Sequence, residues 1–152
     1  MSLFNPVSRT EVLLLLQDRA KVALDYYNTE NSTSYPMQWS NVKFKTPSDG
    51  GAYVRFKVNF GTTATKLTNT NVSNQAGLCV VKVNTPLGEG EFTALSILDA
   101  FEDHFDNITW PEYSVKINNF AGGTEGVAEG EYWTQRAYIS FDYNKKGILP
   151  NG

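Results

Sequence analysis

Apolar and polar side chains alternate most regularly at residues 53–60, which predicts a strand with one buried face. The same alternation recurs at 131–143 and, over a shorter run, at 113–118. The side chains predicted to face the core are Val54, Phe56, Val58, Phe60, Tyr113, Val115, Ile117, Trp133, Ala137, Ile139, Phe141 and Tyr143. A further strand is expected at 38–45, before a turn rich in Pro, Asp and Gly.

Spacings of three and four residues predict a helix after a short, valine-rich strand at 78–83. Pro86 and the glycines after it end that strand, because proline cannot donate to a sheet ladder. The predicted inward side chains of the helix are Phe92, Leu95, Leu98, Phe101 and Phe105, and its solvated ones are Asp99, Glu102, Asp103 and Asp106. The rest of the sheet is expected to build on this strand–turn–helix unit.

A second helix is predicted near the N-terminus, where Ser8 and Glu11 have the spacing of a capping box. Its apolar positions continue at helical spacing, and it is expected to end near Asn28. Leu14 and Leu15 add apolar surface beyond a single stripe. That excess favours a second packing partner, such as another subunit.

The predicted order is helix, two strands, a polar segment, strand, helix and two strands. This order indicates an α+β fold, in which the N-terminal helix and the second helix pack on one face of a mainly antiparallel β-sheet. At 152 residues, the chain is most simply one domain, 1–152.

The polar segment at 61–74 consists almost entirely of Thr and Asn, with few large apolar side chains. As a loop it would be long for a compact domain, and such loops are usually functional or disordered. It would otherwise be a hairpin arm, polar on both sides, whose register a partner fixes. Both interpretations remain open from the sequence.

The net charge of −3 argues against a protein that binds nucleic acid through a basic face, since phosphate contacts need clustered Lys and Arg. Cys79 is the only cysteine, which excludes an intramolecular disulfide, and its place among valines favours a buried thiol. No segment has the pattern of a signal peptide or the roughly twenty apolar residues of a membrane span. We therefore expect a soluble protein made in a reducing cytoplasm.

The sequence offers little for catalysis or for cofactors. His104 is the only histidine, which excludes a histidine-based metal triad, and its acidic helix favours a surface position. The carboxylates at 99–106 are more typical of a wet helix face than of a metal site. The turn at 88–90 lacks the lysine of a phosphate-binding loop, and Glu89 and Glu91 would repel a phosphate. We expect no enzymatic activity, no metal and no cofactor.

The order of these patterns resembles the tail terminator and tail-completion proteins of long-tailed bacteriophages. The resemblance rests on a leading amphipathic helix (11–27), an alternating strand (53–60) before a polar insertion, and a late aromatic strand (133–143). The nearest approach to a signature is QAGL at 75–78, which opens the valine-rich strand, together with TPLGEG at 85–90, which closes it.

This resemblance implies a non-enzymatic virion protein whose subunits close into a ring, commonly a hexamer. The ring would sit on the last ring of the tail tube, stop tube growth and present the surface to which the head–tail connector docks. The implied partners are other copies of the chain, the tail tube protein and the head–tail connector protein. DNA would only pass through the channel, and no membrane contact is implied. The implied location is the virion tail, and the host cytoplasm during assembly.

Two segments fit such a ring on physical grounds. The polar segment would lie across a neighbouring subunit and pair strand edges with it. The acidic loop at 119–131 would line the channel, because like charge disfavours contact with DNA phosphates. The subunit-interface candidates are Thr62, Thr63, Thr65, Lys66, Leu67, Asn69 and Val72, and the channel-lining candidates are Glu125, Glu129 and Glu131.

Two other interpretations fit the same patterns. One is a small α+β binding module with an aromatic-lined pocket for an apolar ligand, which a well-formed internal cavity would favour. The other is a different neck or tail protein of similar fold from a phage virion. A closed core with polar subunit contacts would favour the ring.

Overall fold

The computed structural model describes residues 7–66, 72–122 and 126–146. Within these ranges, two α-helices and a mostly antiparallel sheet of seven strands form the α+β fold that the sequence predicts. The helices are α1 (Arg9–Asn31) and α2 (Phe92–Phe105), and a short 3-10 helix spans Pro111–Tyr113. The strands are β1 (Met37–Trp39), β2 (Tyr53–Lys66), β3 (Val72–Pro86), β4 (Thr109–Trp110), β5 (Val115–Ala121), β6 (Val127–Glu129) and β7 (Tyr132–Lys146).

The sheet has the strand order β1-β2-β3-β7-β5-β4, and β6 pairs with one end of β7. β1 is parallel to β2, and the other neighbours are antiparallel. The longest ladder joins β3 to β7, from Val72↔Lys146 to Pro86↔Tyr132 without a shift in register. β7 is therefore the central strand, with β3 on one side and β5 and β6 on the other.

Both helices pack on one face of the sheet, as predicted. On this face, side chains in register on neighbouring strands contact the helices. Examples are Phe56 beside Val81, and Val81 beside Ala137. The Phe105 ring lies 6.0 Å from the Phe56 ring and 6.3 Å from the Phe101 ring. Fully burying one large apolar side chain contributes about 1.5–3 kcal/mol, so this layer supplies the main stabilisation. It also includes Val12, Leu16, Leu24, Val54, Cys79, Val83, Ile97, Leu98, Val115, Ile117, Ile139 and Phe141.

Helix α1 begins at the capping box that the sequence predicts. The Glu11 backbone N–H donates to Ser8 Oγ at 3.2 Å, and the Ser8 backbone N–H donates to Glu11 Oε1 at 3.2 Å. These bonds satisfy donors that the first turn leaves without helical partners. The helix ends at Asn31 rather than near Asn28, because Ser32 takes the left-handed conformation and its N–H bonds to the Asn28 carbonyl.

The predicted apolar face of α2 is wrong at its first turn. Phe92 is 82% exposed and Leu95 is 38% exposed, whereas Ala94 and Ile97 are fully buried. The sequence contains two overlapping apolar stripes, and the helix buries the one that continues at helical spacing into its last turn. Leu98, Phe101 and Phe105 are buried and Asp99, Glu102, Asp103 and Asp106 are exposed, as predicted.

Strands β2 and β3 continue into the polar segment, which confirms the hairpin arm for its described residues. β2 reaches Lys66, and the outermost pair of the hairpin is Lys66↔Ser73. β7 adds a third strand, because Lys146 pairs with Val72. The sequence pattern indicates only a frayed tail after residue 144. The arm, defined here as residues 61–66, 72–76 and 142–146, is therefore a three-stranded ribbon.

The arm joins the sheet at a β-bulge in β2, where residues 61–63 oppose Ala76 alone. A bulge bends its strand and increases the local twist. Close contacts on both strands require glycine here. A Cβ on Gly61 would lie 2.5 Å from the Ala76 carbonyl oxygen, and a Cβ on Gly77 would lie 2.3 Å from Phe141 Cζ. The direction of the arm therefore depends on these two glycines.

Three shorter segments also differ from the predictions. The strand expected at 38–45 is only β1, because Asn41 takes a positive φ of 58° shortly after Trp39 and turns the chain. Tyr113 lies in the 3-10 helix that Pro111 starts, not in a strand. Much of the loop expected at 119–131 is paired with β7, as the end of β5 and as β6.

We predict that Gly77→Ala lowers the free energy of unfolding by about 1–3 kcal/mol, because the added Cβ overpacks against the Phe141 ring. Phe141→Leu removes the ring atoms that the added Cβ would meet at 2.3 and 2.7 Å. The double variant should therefore lose less stability than the sum of the two single variants in urea unfolding.

Gly61→Ala is the matched control, since the only atoms its Cβ meets belong to the Ala76 backbone. Phe141→Leu should not reduce the loss of stability that Gly61→Ala causes. Equal coupling of Phe141→Leu to both glycine variants would contradict the described packing at the bulge.

Candidate assembly surfaces

Hydrogen bonds at the base of the arm join two of its strands to each other and to Val7. The Tyr143 hydroxyl donates to Gln75 Oε1 at 2.8 Å, and both side chains are buried. Burial raises the pKa of Tyr143, so the hydroxyl stays protonated as the donor. Asn74 Nδ2 donates to Asn144 Oδ1 at 3.2 Å, and the Val7 N–H donates to the Asn144 carbonyl at 2.9 Å. Because breaking a buried bond costs about 1–3 kcal/mol, the arm leaves the core in a fixed direction.

Strand β2 has a long edge that faces away from β3. β1 pairs with this edge only from Val54 to Phe56. Among the described residues, no other strand pairs with it, so it stays open at residues 57–66. An open edge presents a row of N–H and C=O groups that can pair with a strand of another chain. This edge is the largest assembly feature of the arm.

A second open edge lies at the opposite margin of the sheet, on β5. β4 pairs with β5 only at Val115 and Lys116, and the Ile117 N–H donates to the Ile108 carbonyl at 2.9 Å. Within the described part of the chain, residues 118–121 have no strand on that side. The sheet therefore ends in one open edge at each margin.

The structure places most of the predicted interface residues on the arm. Thr62, Thr63, Thr65 and Lys66 belong to β2, the strand with the long open edge. Val72 belongs to β3, which lies between β2 and β7 and is not an edge strand. Leu67 and Asn69 lie outside the described residues.

The predicted channel-lining residues are in different settings. Glu129 of β6 accepts from Lys82 Nζ at 2.8 Å and from Arg136 Nη2 at 3.1 Å. Hydrogen bonds from Lys82 and then Arg136 lower the pKa of Glu129, so the carboxylate stays charged beside two cations. Glu131 is exposed beyond the turn at Gly130, and Glu125 lies outside the described residues.

Two open grooves are lined in part by exposed apolar side chains. Leu14, 60% exposed, lines a groove of about 540 Å³ with Trp39 and Tyr113, where the sequence predicts a second packing partner for α1. A groove of about 430 Å³ lies between Leu87 and Trp133, close in sequence to the exposed Phe92. The sequence pattern does not reveal this second surface, because it places Trp133 among the side chains that face the core.

The surroundings of Cys79 and His104 indicate structural roles for both side chains. Cys79 is fully buried, as predicted, and burial raises the pKa of its thiol, which makes it unreactive. His104 is only partly exposed, because its ring packs 5.1 Å from the Tyr26 ring and its Nδ1 lies 2.8 Å from the Ala100 carbonyl oxygen. Within the described ranges, no group of three or more His, Cys, Asp or Glu could hold a metal. Neither described helix is long and apolar enough to cross a membrane.

The aromatic side chains that a ligand pocket would use are packed against one another. The Phe60 ring lies 6.0 Å from the Phe141 ring and 5.9 Å from the Tyr143 ring, in edge-on contacts. Together with Phe56 and Phe105, these rings fill the space between the sheet and the helices. The ligand cavity of the binding-module interpretation would have to lie in this same space, which the rings occupy.

Comparisons with known proteins identify a family and a fold. A family model described as "Phage tail terminator protein" matches residues 15–141. Twenty chains of solved structures match the chain. One of them has a TM-score of 0.60 and 19% sequence identity, over 89% of this chain and 98% of that chain. At this identity the likeness shows the fold alone. No curated protein matches the chain.

We predict that Glu129→Gln lowers the free energy of unfolding by about 0.5 kcal/mol at pH 7, because Lys82 and Arg136 lose their shared anion. The folded state lowers the pKa of Glu129 from 4.5. Its contribution is therefore present above that value and is lost as the pH falls through the lower, folded-state pKa. Urea unfolding at pH 7 would measure the stability that the Glu129 carboxylate contributes, and unfolding near pH 3 would measure its loss.

Glu131→Gln is the control, since no described cation lies within ion-pair distance of Glu131. It should leave stability unchanged at both pH values. A Glu129→Gln deficit that persists at low pH would contradict the ion-pair explanation.

Proposed function

The chain belongs to the phage tail terminator protein family and is a structural component of the virion tail, and we propose that it closes into a ring, most simply a hexamer. The ring caps the last ring of the tail tube and ends tube polymerisation. Its free face provides the surface to which the head–tail connector protein docks. Assembly takes place in the host cytoplasm, and the protein has no enzymatic role in it.

The observation that carries this proposal is the open edge of β2 at residues 57–66. This edge includes the predicted interface residues Thr62, Thr63, Thr65 and Lys66. Pairing with a strand of a neighbouring subunit would satisfy its backbone groups and would cover an edge that is otherwise prone to unwanted pairing. The proposed contact therefore uses a feature that the isolated chain leaves incomplete.

The edge of β5 at residues 118–121 supplies the matching half of the contact. The two edges lie at opposite margins of one sheet. A contact between them is head-to-tail, and head-to-tail contacts generate rings when the rotation between subunits closes. The sheets of neighbouring subunits would then form one continuous sheet around the ring.

We also propose that the acidic segment near β6 lines the channel through which DNA passes. Glu125 and Glu131 would repel the phosphates and reduce adhesion of DNA to the wall. Glu129 would contribute less, because two cations already surround its carboxylate. The remaining proposed partners are the tail tube protein on one face of the ring and the connector protein on the other.

Deleting residues 62–72 tests the proposal. The deletion joins Gly61 to Ser73 and leaves five residues, 61 and 73–76, between the retained pair Phe60↔Gly77, a length that hairpin loops use. None of the described core residues lies within 62–72, so the variant should fold to a monomer that unfolds cooperatively. In tail assembly reactions it should fail to cap tubes, and electron microscopy should show tails of uncontrolled length.

Glu30→Gln and Asp49→Asn, exposed positions outside both edges, are controls that should terminate tails normally. Tails of normal length with the deletion variant would refute a role of the arm in the ring. Normal rings that still fail to terminate tails would move the function to another position in the neck or tail.

A further inference from the structure

An aromatic side chain lies at the end of β1, at the point where the open edge of β2 begins. Trp39 is the last residue of β1 and is in register with Phe56, and the two rings lie 6.1 Å apart in an edge-on contact. Cross-strand partners share a face of the sheet. Phe56 belongs to the core, so Trp39 lies on the face that carries the helices. The chain turns at Asn41, and among the described strands none continues β1 along the edge beyond Trp39.

Apolar side chains border this vacant stretch of the edge. Val58 and Phe60 follow Phe56 on the helix face of β2, and both are only partly buried. Leu14 and Leu15 of α1 line the same open groove as Trp39, and the groove has a volume of about 540 Å³. We call Leu14, Leu15 and Trp39 the edge groove. Exposed apolar surface beside an open strand edge is typical of an interaction site.

The open edge of β5, at residues 118–121, offers one large apolar side chain. This side chain is Phe120, and the other three residues are Asn118, Asn119 and Ala121. Phe120 is in register with Ile139, which belongs to the core, so Phe120 also lies on the helix face. It is partly buried against the core of its own chain. The two open edges therefore carry apolar side chains on the same face of the sheet.

We propose that Phe120 of one copy of this chain packs into the edge groove of a second copy. The inference rests on the proposed ring, in which the β5 edge of one copy pairs with the β2 edge of the next. Side-chain faces continue across paired strands, so Phe120 then lies on the side of the edge groove. The contact adds an apolar anchor to pairing that backbone hydrogen bonds otherwise provide, and buried aromatic anchors usually dominate the energy of an interface.

The observations favour a second copy over an apolar side chain of the tail tube or connector protein. A strand that pairs with β2 beyond Phe56 must pass directly beside Trp39, because Trp39 occupies the preceding place on that edge. On the β1 side, Val58 and Phe60 have no described strand beside them. Phe120 would supply the missing neighbour, since aromatic side chains pair favourably with β-branched and aromatic ones across strands.

Cysteine crosslinking tests the contact, because Cys79 is fully buried and leaves introduced cysteines to react alone. A chain with Leu14→Cys and Phe120→Cys reports the proposed contact. A chain with Asn59→Cys and Asn119→Cys, exposed positions on the two open edges, reports strand pairing by itself. With a short bismaleimide, each chain should give a ladder of oligomers that ends at the ring size, in concentrated protein and in purified tails.

The control chain carries Glu30→Cys and Phe120→Cys. Glu30 is exposed at the far end of α1 from the edge groove, so this pair should give no ladder. A ladder from the Asn59–Asn119 pair without one from the Leu14–Phe120 pair would overturn the inference and leave the proposed ring intact. The absence of a ladder from both pairs would overturn the inference together with the ring.

A charged side chain in the edge groove gives an independent readout. In the chain with Asn59→Cys and Asn119→Cys, Leu14→Asp should reduce the ladder at least about tenfold at limiting protein concentration, because the ring of Phe120 would desolvate the carboxylate. Val22→Asp makes the same change at an exposed aliphatic residue of α1 outside the groove and should leave the ladder unchanged. An equal ladder with Leu14→Asp and Val22→Asp would also overturn the inference, while strand pairing itself would stand.

Discussion

The structure depends on the continuous ladder between β3 and β7. Fifteen residue pairs follow one another from Val72↔Lys146 to Pro86↔Tyr132 without a shift. The inner part of this ladder contributes Val81, Ala137 and Ile139 to the core, and its outer third forms the arm. Because side chains alternate across a strand, a slip of one residue would turn the whole core set outward. The buried core thus fixes the register of the polar arm, which has too few apolar residues to fix its own.

Much of the fold could be predicted from the sequence, because the buried elements follow simple periodicities. The alternation at 53–60 and at 131–143 identified β2 and β7, and the Ser8–Glu11 capping box identified the start of α1. The prediction failed where two patterns overlap or where pairing is non-local. Phe92 and Leu95 continue an apolar stripe, yet Ala94 and Ile97 are the buried residues of that turn. The third strand of the arm requires a partner more than sixty residues away, and local sequence carries no sign of it.

The assembly features were only partly predictable. The Thr-rich segment was compatible with a loop or with a hairpin arm. Its open edge follows from the short length of β1, which the sequence predicts to be longer. Strand register brings Arg55, Lys82 and Arg136 together, although they are far apart in sequence. Composition gives a net charge of −3 and hides this local grouping of cations. Likewise, the pairing of Glu129 with two cations depends on β6, within a segment that the sequence presents as a loop.

The central claim is that the open edge of β2 pairs with a neighbouring subunit in the assembled tail. Amide hydrogen exchange in the isolated chain and in assembled tails tests it most directly, with the core of β3 at residues 78–83 as an internal reference. The account predicts slow exchange at 78–83 in both states, and protection at residues 57–66 that rises markedly only after assembly. Equal exchange of residues 57–66 in the two states would contradict the claim.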